Sequence, residues 1–190
     1  MITISGVYVD REHGTPTLYD IGYSLRQLPR FVGYVKRSWS VLGHVMACAR
    51  YAAAKKHDIR TQLYCLLHDA DECCTGDIPP IWKTEELKTW QREIRTRIYM
   101  SLGIGQPSLQ TDRIVHQIDS QMLYAEARIF APQVMKSLIT PGPDFREGID
   151  TQDTLANYAV IEVDDWLSYL GPREAAIDFE AFVDYLKGQL

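Results

Sequence analysis

The apolar positions change their period near residue 20. Before it, Ile2, Ile4, Val7 and Val9 alternate in part, and Glu12-His13-Gly14-Thr15-Pro16 reads as a turn, so residues 1–19 are expected to form a short β-hairpin. From Asp20 the spacing is helical. Asp20 is expected to cap a helix carrying Ile21, Leu25 and Leu28 that stops near Pro29. A second helix starts at Ser38 or Ser40 and runs to Lys56, with Val41, Leu42, Val45, Ala49 and Ala52 on one face. A third, from Arg60 to Cys74 through Leu63, Leu66 and Leu67, begins apolar nearly all round, the pattern of a central buried helix. Gly76-Asp77-Ile78-Pro79-Pro80 must be irregular, since consecutive prolines cannot continue a helix.

Thr84 opens an amphipathic helix with Glu85 and Glu86 in its first turn, Leu87, Trp90, Ile94 and Ile98 as its stripe, and Gly103 as its stop. Another carries Ile114, Ile118, Met122, Ala125 and Ile129. Residues 140–150 read as a Pro- and Gly-rich loop, and helices around 152–170 and 173–188 close the chain. No repeat, low-complexity tract or domain boundary interrupts this order. The expectation is an all-α fold with an N-terminal β-hairpin over 1–19, a catalytic helical core over 20–130 and C-terminal helices over 131–190, forming a single domain.

Composition narrows the setting. A chain of 190 residues with 46% apolar and 24% charged residues is that of an ordinary soluble domain with a sizeable core. No run approaches the ~18 apolar residues of a membrane span, and Met1-Ile2-Thr3-Ile4-Ser5 lacks the features of a signal peptide. A net charge of −5 without a dense basic block argues against long nucleic acids as partners, while a small phosphorylated ligand needs only a few cations. Cys48, Cys65, Cys73 and Cys74 form no C-x-x-C pair and read as reduced. The expected location is the cytoplasm.

Three polar positions interrupt faces that should be apolar. His68-Asp69 ends the most hydrophobic helix, and an adjacent His-Asp pair can give one nitrogen and one oxygen to a divalent ion; the alternative is that it only caps that helix. Glu72, four residues after His68, is expected on the same helical face, where a water-activating base belongs. His44 sits among Val41, Leu42 and Val45, either as a ligand or as a satisfied core histidine. Asp119, between Ile118 and Met122, must be paired with a cation of some kind, because a lone buried carboxylate is costly. Together His44, His68, Asp69 and Asp119 make an N/O set suited to Co, Mn, Zn, Fe or Ni, and too rich in imidazole for Mg.

The order His…His-Asp…Asp resembles that of the HD-domain metal-dependent phosphohydrolases. Leu66-Leu67-His68-Asp69-Ala70-Asp71-Glu72, Thr75-Gly76-Asp77-Ile78-Pro79 and Lys83 are similar to a block of the small 5'-deoxynucleotidases and the phage dATP triphosphohydrolases. So are Arg30-Phe31-Val32-Gly33 and, after Asp119, Glu126-Ala127-Arg128. The resemblance covers roughly residues 20–130. It departs at Gly43-His44-Val45, where the family carries Glu or Gln before the histidine, and at Phe31, where the mononucleotidases carry Trp.

The resemblance implies hydrolysis of deoxynucleotide phosphates in a host or bacterial cytoplasm, leaning to a dNTP triphosphohydrolase, with a dNMP nucleotidase or an inactive nucleotide-binding module as alternatives. It implies Glu72 and Asp77 as catalytic groups, a homo-oligomer, dimer or hexamer, and one tightly held divalent ion with any further ion looser, since binuclear branches supply two further histidines where this chain has only His116. Arg30, Lys36, Arg37 and Lys83 are the candidate cations for the phosphates. Phe31 and Gly33 are expected at the pocket mouth, selecting the base, with Phe31 as a core residue being the other reading.

Overall fold

The computed structural model describes residues 1–133, 150 and 153–190. The fold is all-α. Its helices are α1 (Leu18–Gln27), α2 (Val41–Ala54), α3 (Ile59–Leu67), the single turn α4 (Glu72–Thr75), α5 (Glu85–Ser101), α6 (Leu109–Phe130), α7 (Thr154–Ser168) and α8 (Pro172–Lys187), with short 3-10 turns at Arg30–Gly33 and Pro80–Trp82. The loop expected at 140–150 lies, apart from Asp150, outside the described residues. No helix among the described residues is long and apolar enough to cross a membrane.

The helix starts follow side-chain chemistry. Ser40, Asp58, Thr84, Ser108 and Asp153 each accept a hydrogen bond from a backbone N–H in the first turn of the helix they precede. At α1 the cap is Thr17, and Asp20 is the third residue of a capping box rather than the cap. Apolar stripes of α1, α2, α3, α5, α6, α7 and α8 meet in one core, with Ile21, Leu42, Leu63, Leu66, Phe130 and Phe179 fully enclosed.

Two expectations need correction. The N-terminal hairpin is reduced to one isolated bridge between Ile2 and Tyr8; both side chains are exposed, and among the described residues no further strand pairs with them. The helix expected over 60–74 breaks after Leu67. Residues 68–71 form a turn before α4, held from α5 by Arg95, whose Nη1 donates to the His68 carbonyl at 2.7 Å while its Nε lies 3.1 Å from Asp71. Glu72 therefore does not share a helix with His68, and its placement is tertiary.

Candidate metal centre

Three elements deliver the candidate donors. His44 lies in the first turn of α2, fully buried; His68 and Asp69 occupy the break after α3; Asp119 comes from the middle of α6. His44 Nε2 lies 3.3 Å from His68 Nε2, 3.1 Å from Asp119 Oδ1 and 3.7 Å from Asp69 Oδ2. His68 Nε2 lies 3.4 Å from Asp69 Oδ2 and 3.8 Å from Asp119 Oδ1. These separations are close to the edges of a coordination polyhedron with bonds of about 2.1 Å.

The outer nitrogens fix which atoms face inward. His68 Nδ1 is 2.8 Å from the Cys65 carbonyl, which can only accept, so Nδ1 carries the proton. His44 Nδ1 is 2.7 Å from Glu126 Oε1. In the neutral rings both Nε2 atoms are then acceptors, and two acceptors 3.3 Å apart need a cation or a proton between them. The residues present fit a divalent transition ion, with carbonyl and carboxylate partners behind the imidazoles as such sites require.

The charges agree. Burial works against ionising Asp69 and Asp119, yet the facing imidazoles outweigh it and hold both carboxyls below the usual range. Burial likewise opposes charge on His68, but Asp69 and Asp119 draw a proton onto it. Cys48 is a further close donor, its Sγ 3.6 Å from His44 Nε2. Burial pushes its thiol up to about 11, so it stays protonated at neutral pH and is a poorer ligand than either aspartate.

Around this group the other singled-out residues divide. Glu72 is buried, with Oε1 3.3 Å from Lys83 Nζ and Oε2 without a hydrogen-bond partner. Burial, with Asp69 and Asp77 adding to it, pushes its carboxyl up to about 9, so it is protonated at neutral pH. Asp77 is half-buried and raised mainly by burial, within electrostatic reach of Arg30, Asp69, His44 and Lys83. Arg30 is buried, with Nε 2.9 Å from Glu126 Oε2 and Nη1 3.9 Å from Asp69 Oδ2.

Other residues point elsewhere. Phe31 packs against the core beneath the Arg30 guanidinium. Phe31, Val32 and Gly33 all have left-handed backbone, with φ of 55°, 54° and 77°. A Cβ at Gly33 would meet no atom within 4 Å, so the constraint there is conformational rather than steric selection. Lys36 is exposed, and Arg37 pairs with Asp164 and lies over the Phe130 ring. Sequence reasoning missed Arg95 and gave Glu126 no role of its own, because both act through contacts distant in sequence.

The sequence profile of the adenosine deaminase z-alpha domain family matches residues 45–88. No curated protein matches the chain. The matched stretch runs from α2 into α5 and takes in His68, Asp69, Glu72, Asp77 and Lys83, leaving His44 and Asp119 outside. It is less than half of the chain and does not place the chain in that family. It does overturn the HD-phosphohydrolase resemblance, because the block on which that resemblance chiefly rested matches a different family. Deoxynucleotide hydrolysis falls with it. Z-alpha domains bind Z-form nucleic acids, so the exclusion of long nucleic acids on net charge is withdrawn as well.

Proposed function

We propose that the protein is a metalloenzyme in which His44, His68, Asp69 and Asp119 hold one divalent transition ion. The observation that carries this reading is the pair of Nε2 atoms 3.3 Å apart, each turned inward by a partner on its own Nδ1. When bound, such an ion polarises the ligand it shares with the protein. Glu72 holds a proton at neutral pH and serves as the acid–base group, its proton residing on a carboxyl oxygen enclosed by the fold. Arg30, paired with Glu126, and Lys83, paired with Glu72, bring positive charge beside the centre that an anionic ligand there would gain from.

The test is stoichiometry. Protein stripped with chelator and reloaded with Co, Mn or Zn should retain close to one ion per chain by elemental analysis after desalting. Asp69→Ala should retain far less, since it removes a donor that faces both histidines. Equal retention in the two proteins overturns the ligand assignment.

A second reading, favoured by the family match, is that residues 45–88 bind Z-form nucleic acid. Exposed Lys56, Arg60 and Lys88 and half-exposed Arg50 lie within this stretch. Fluorescence anisotropy with a Z-forming duplex should then show binding that weakens as salt rises. Absence of binding at low salt rejects it.

A further inference from the structure

Glu126 lies on α6, two turns beyond Asp119, and is completely enclosed. Its two oxygens are committed in different directions. Oε1 is 2.7 Å from His44 Nδ1 and Oε2 is 2.9 Å from Arg30 Nε. The same guanidinium reaches towards Asp69, with Nη1 3.9 Å from Oδ2. One carboxylate thus joins a histidine of α2 to an arginine of the first 3-10 turn.

We infer that Glu126 is a positioning residue that ties the metal centre to Arg30, fixing the His44 tautomer with one oxygen and the guanidinium with the other. The inference rests on the metal reading above. Its logic is acceptor counting. A carboxylate offers one oxygen to each neighbour: Oε1 takes the His44 Nδ1 hydrogen bond, while Oε2 faces the Arg30 guanidinium as an ion pair, the Nε–H not being aimed at it. With Nδ1 donating, His44 presents a bare Nε2 to His68, Asp69 and Asp119; with the other tautomer it would aim a proton into the centre. Because the Arg30 guanidinium is held by the same group, occupancy of the centre and ligand binding at Arg30 favour one arrangement and are coupled reciprocally.

Glutamine makes this testable. Glu126→Gln keeps the shape but leaves one acceptor oxygen for two neighbours. The amide oxygen turns to the arginine, since a full positive charge at ion-pair distance attracts it more strongly than a neutral ring does. The amide NH2 then faces His44 Nδ1, which must accept, and the ring proton moves to Nε2. Two readouts follow: imidazole tautomers from nitrogen-15 NMR of the metal-free protein, and Co affinity by calorimetry.

Measured at a pH high enough to leave the ring neutral, His44 in the wild type should be the Nδ1–H tautomer. In Glu126→Gln it should become the Nε2–H form, with Co affinity reduced 10–100-fold, the range for loss of a partner behind a metal-bound histidine. Adding Arg30→Met releases the amide oxygen to His44, and the double variant should regain the Nδ1–H tautomer and most of the lost affinity. A merely charge-balancing role for Glu126 would also be relieved by removing the arginine left unpaired, but it would leave the His44 tautomer unmoved in both variants. Wild-type tautomer and affinity in Glu126→Gln overturn the inference, as does a double variant no better than the single one. If Glu126→Gln does not fold, an Nε2–H tautomer at His44 in the wild type still overturns it. If the wild type takes no Co, the metal reading fails, while the tautomer measurements continue to judge Glu126.

Discussion

Gly43 gives the sharpest test of how tightly the centre is built into the core. An ideal Cβ at this position would lie 2.8 Å from both Cη2 and Cζ3 of Trp39 and 3.1 Å from its Cε3. Ordinary carbon contact begins near 3.5 Å, so an added methyl must displace the ring by more than half an ångström. The ring has no room to move: Trp39 is 1% exposed and stacked on the enclosed Phe130, with centroids 4.7 Å apart. Two effects oppose each other in Gly43→Ala. Alanine in a helix gains about 1 kcal/mol over glycine, whereas overpacking a dense core costs about 1–3 kcal/mol. The clash falls on a buried aromatic ring stacked on Phe130, which places the cost at the upper end and the net loss at about 1–2 kcal/mol. For a chain of this length that lowers Tm by about 2–8 °C, measurable by calorimetry. The sign should invert when the ring is removed. In a Trp39→Leu background the same Gly43→Ala change should stabilise, approaching the helix-propensity gain of about 1 kcal/mol. A Gly43→Ala protein as stable as the wild type, or a change of the same sign in both backgrounds, refutes the reasoning.

Other outcomes follow from the same geometry. Asp20 accepts from the Ser5 N–H at 2.8 Å, the Ser5 hydroxyl at 2.6 Å, and both the N–H and hydroxyl of Thr17. Asp20→Ala should therefore cost about 2–4 kcal/mol by chemical denaturation, as charge-assisted bonds are lost together. Burial alone would raise the Asp20 carboxyl, but the Ser5 and Thr17 hydrogen bonds prevail and hold it lower. Its contribution is thus complete above the ordinary carboxylate pKa of about 4 and is lost as pH falls through the lower folded value, so the gap between wild type and Asp20→Ala should narrow steadily on acidification. Divalent Co or Zn at ~100 Kd should add about 2.7 kcal/mol of stability by mass action; a scanning experiment should see this Tm rise in the wild type and lose it in His68→Ala. Arg95→Leu removes the donor to the His68 carbonyl and the partner of buried Asp71. It should destabilise by about 3–5 kcal/mol, as breaking a buried pair does, with a matching rise of the Asp71 carboxyl by NMR titration.

The local elements were legible in the sequence where they depend on neighbours in the chain. Helical spacing from Val41 to Ala52, the Thr84 start with Glu85 and Glu86, and the stop at Gly103 are short-range matters of capping and periodicity, and the structure has them. The end of α3 was not legible. Leu66 and Leu67 continue the apolar pattern to His68, and nothing within that stretch forbids another helical turn; the break is held by Arg95, 27 residues away. The hairpin failed for the opposite reason. Alternation in Ile2, Ile4, Val7 and Val9 described a half-buried strand, but Ile2 and Ile4 are exposed and no sheet receives them. At the site, residue types could nominate His44, His68, Asp69 and Asp119 but could not set their distances. Glu126 and Arg30 needed the fold to bring α6 and the left-handed turn after Pro29 to the same buried point.

The break after α3 is also what lets adjacent residues face one centre. Within an α-helix, successive side chains leave the axis about 100° apart, so His68 and Asp69 would point to different surfaces. In the turn, His68 Nε2 and Asp69 Oδ2 are 3.4 Å apart and both face His44. Ending the hydrogen-bonded ladder there leaves the His68 carbonyl free of the helix, and Arg95 takes it up. The same arginine pairs with Asp71, so one guanidinium closes the turn at both ends. Glu72 is then placed by α4 and Lys83 rather than by helical spacing from His68, which allows it to be enclosed and protonated while the aspartates nearby stay ionised. One carboxylate charged at Asp69 and one neutral at Glu72, three residues apart in the chain, is a division of environments that the break in the helix makes possible.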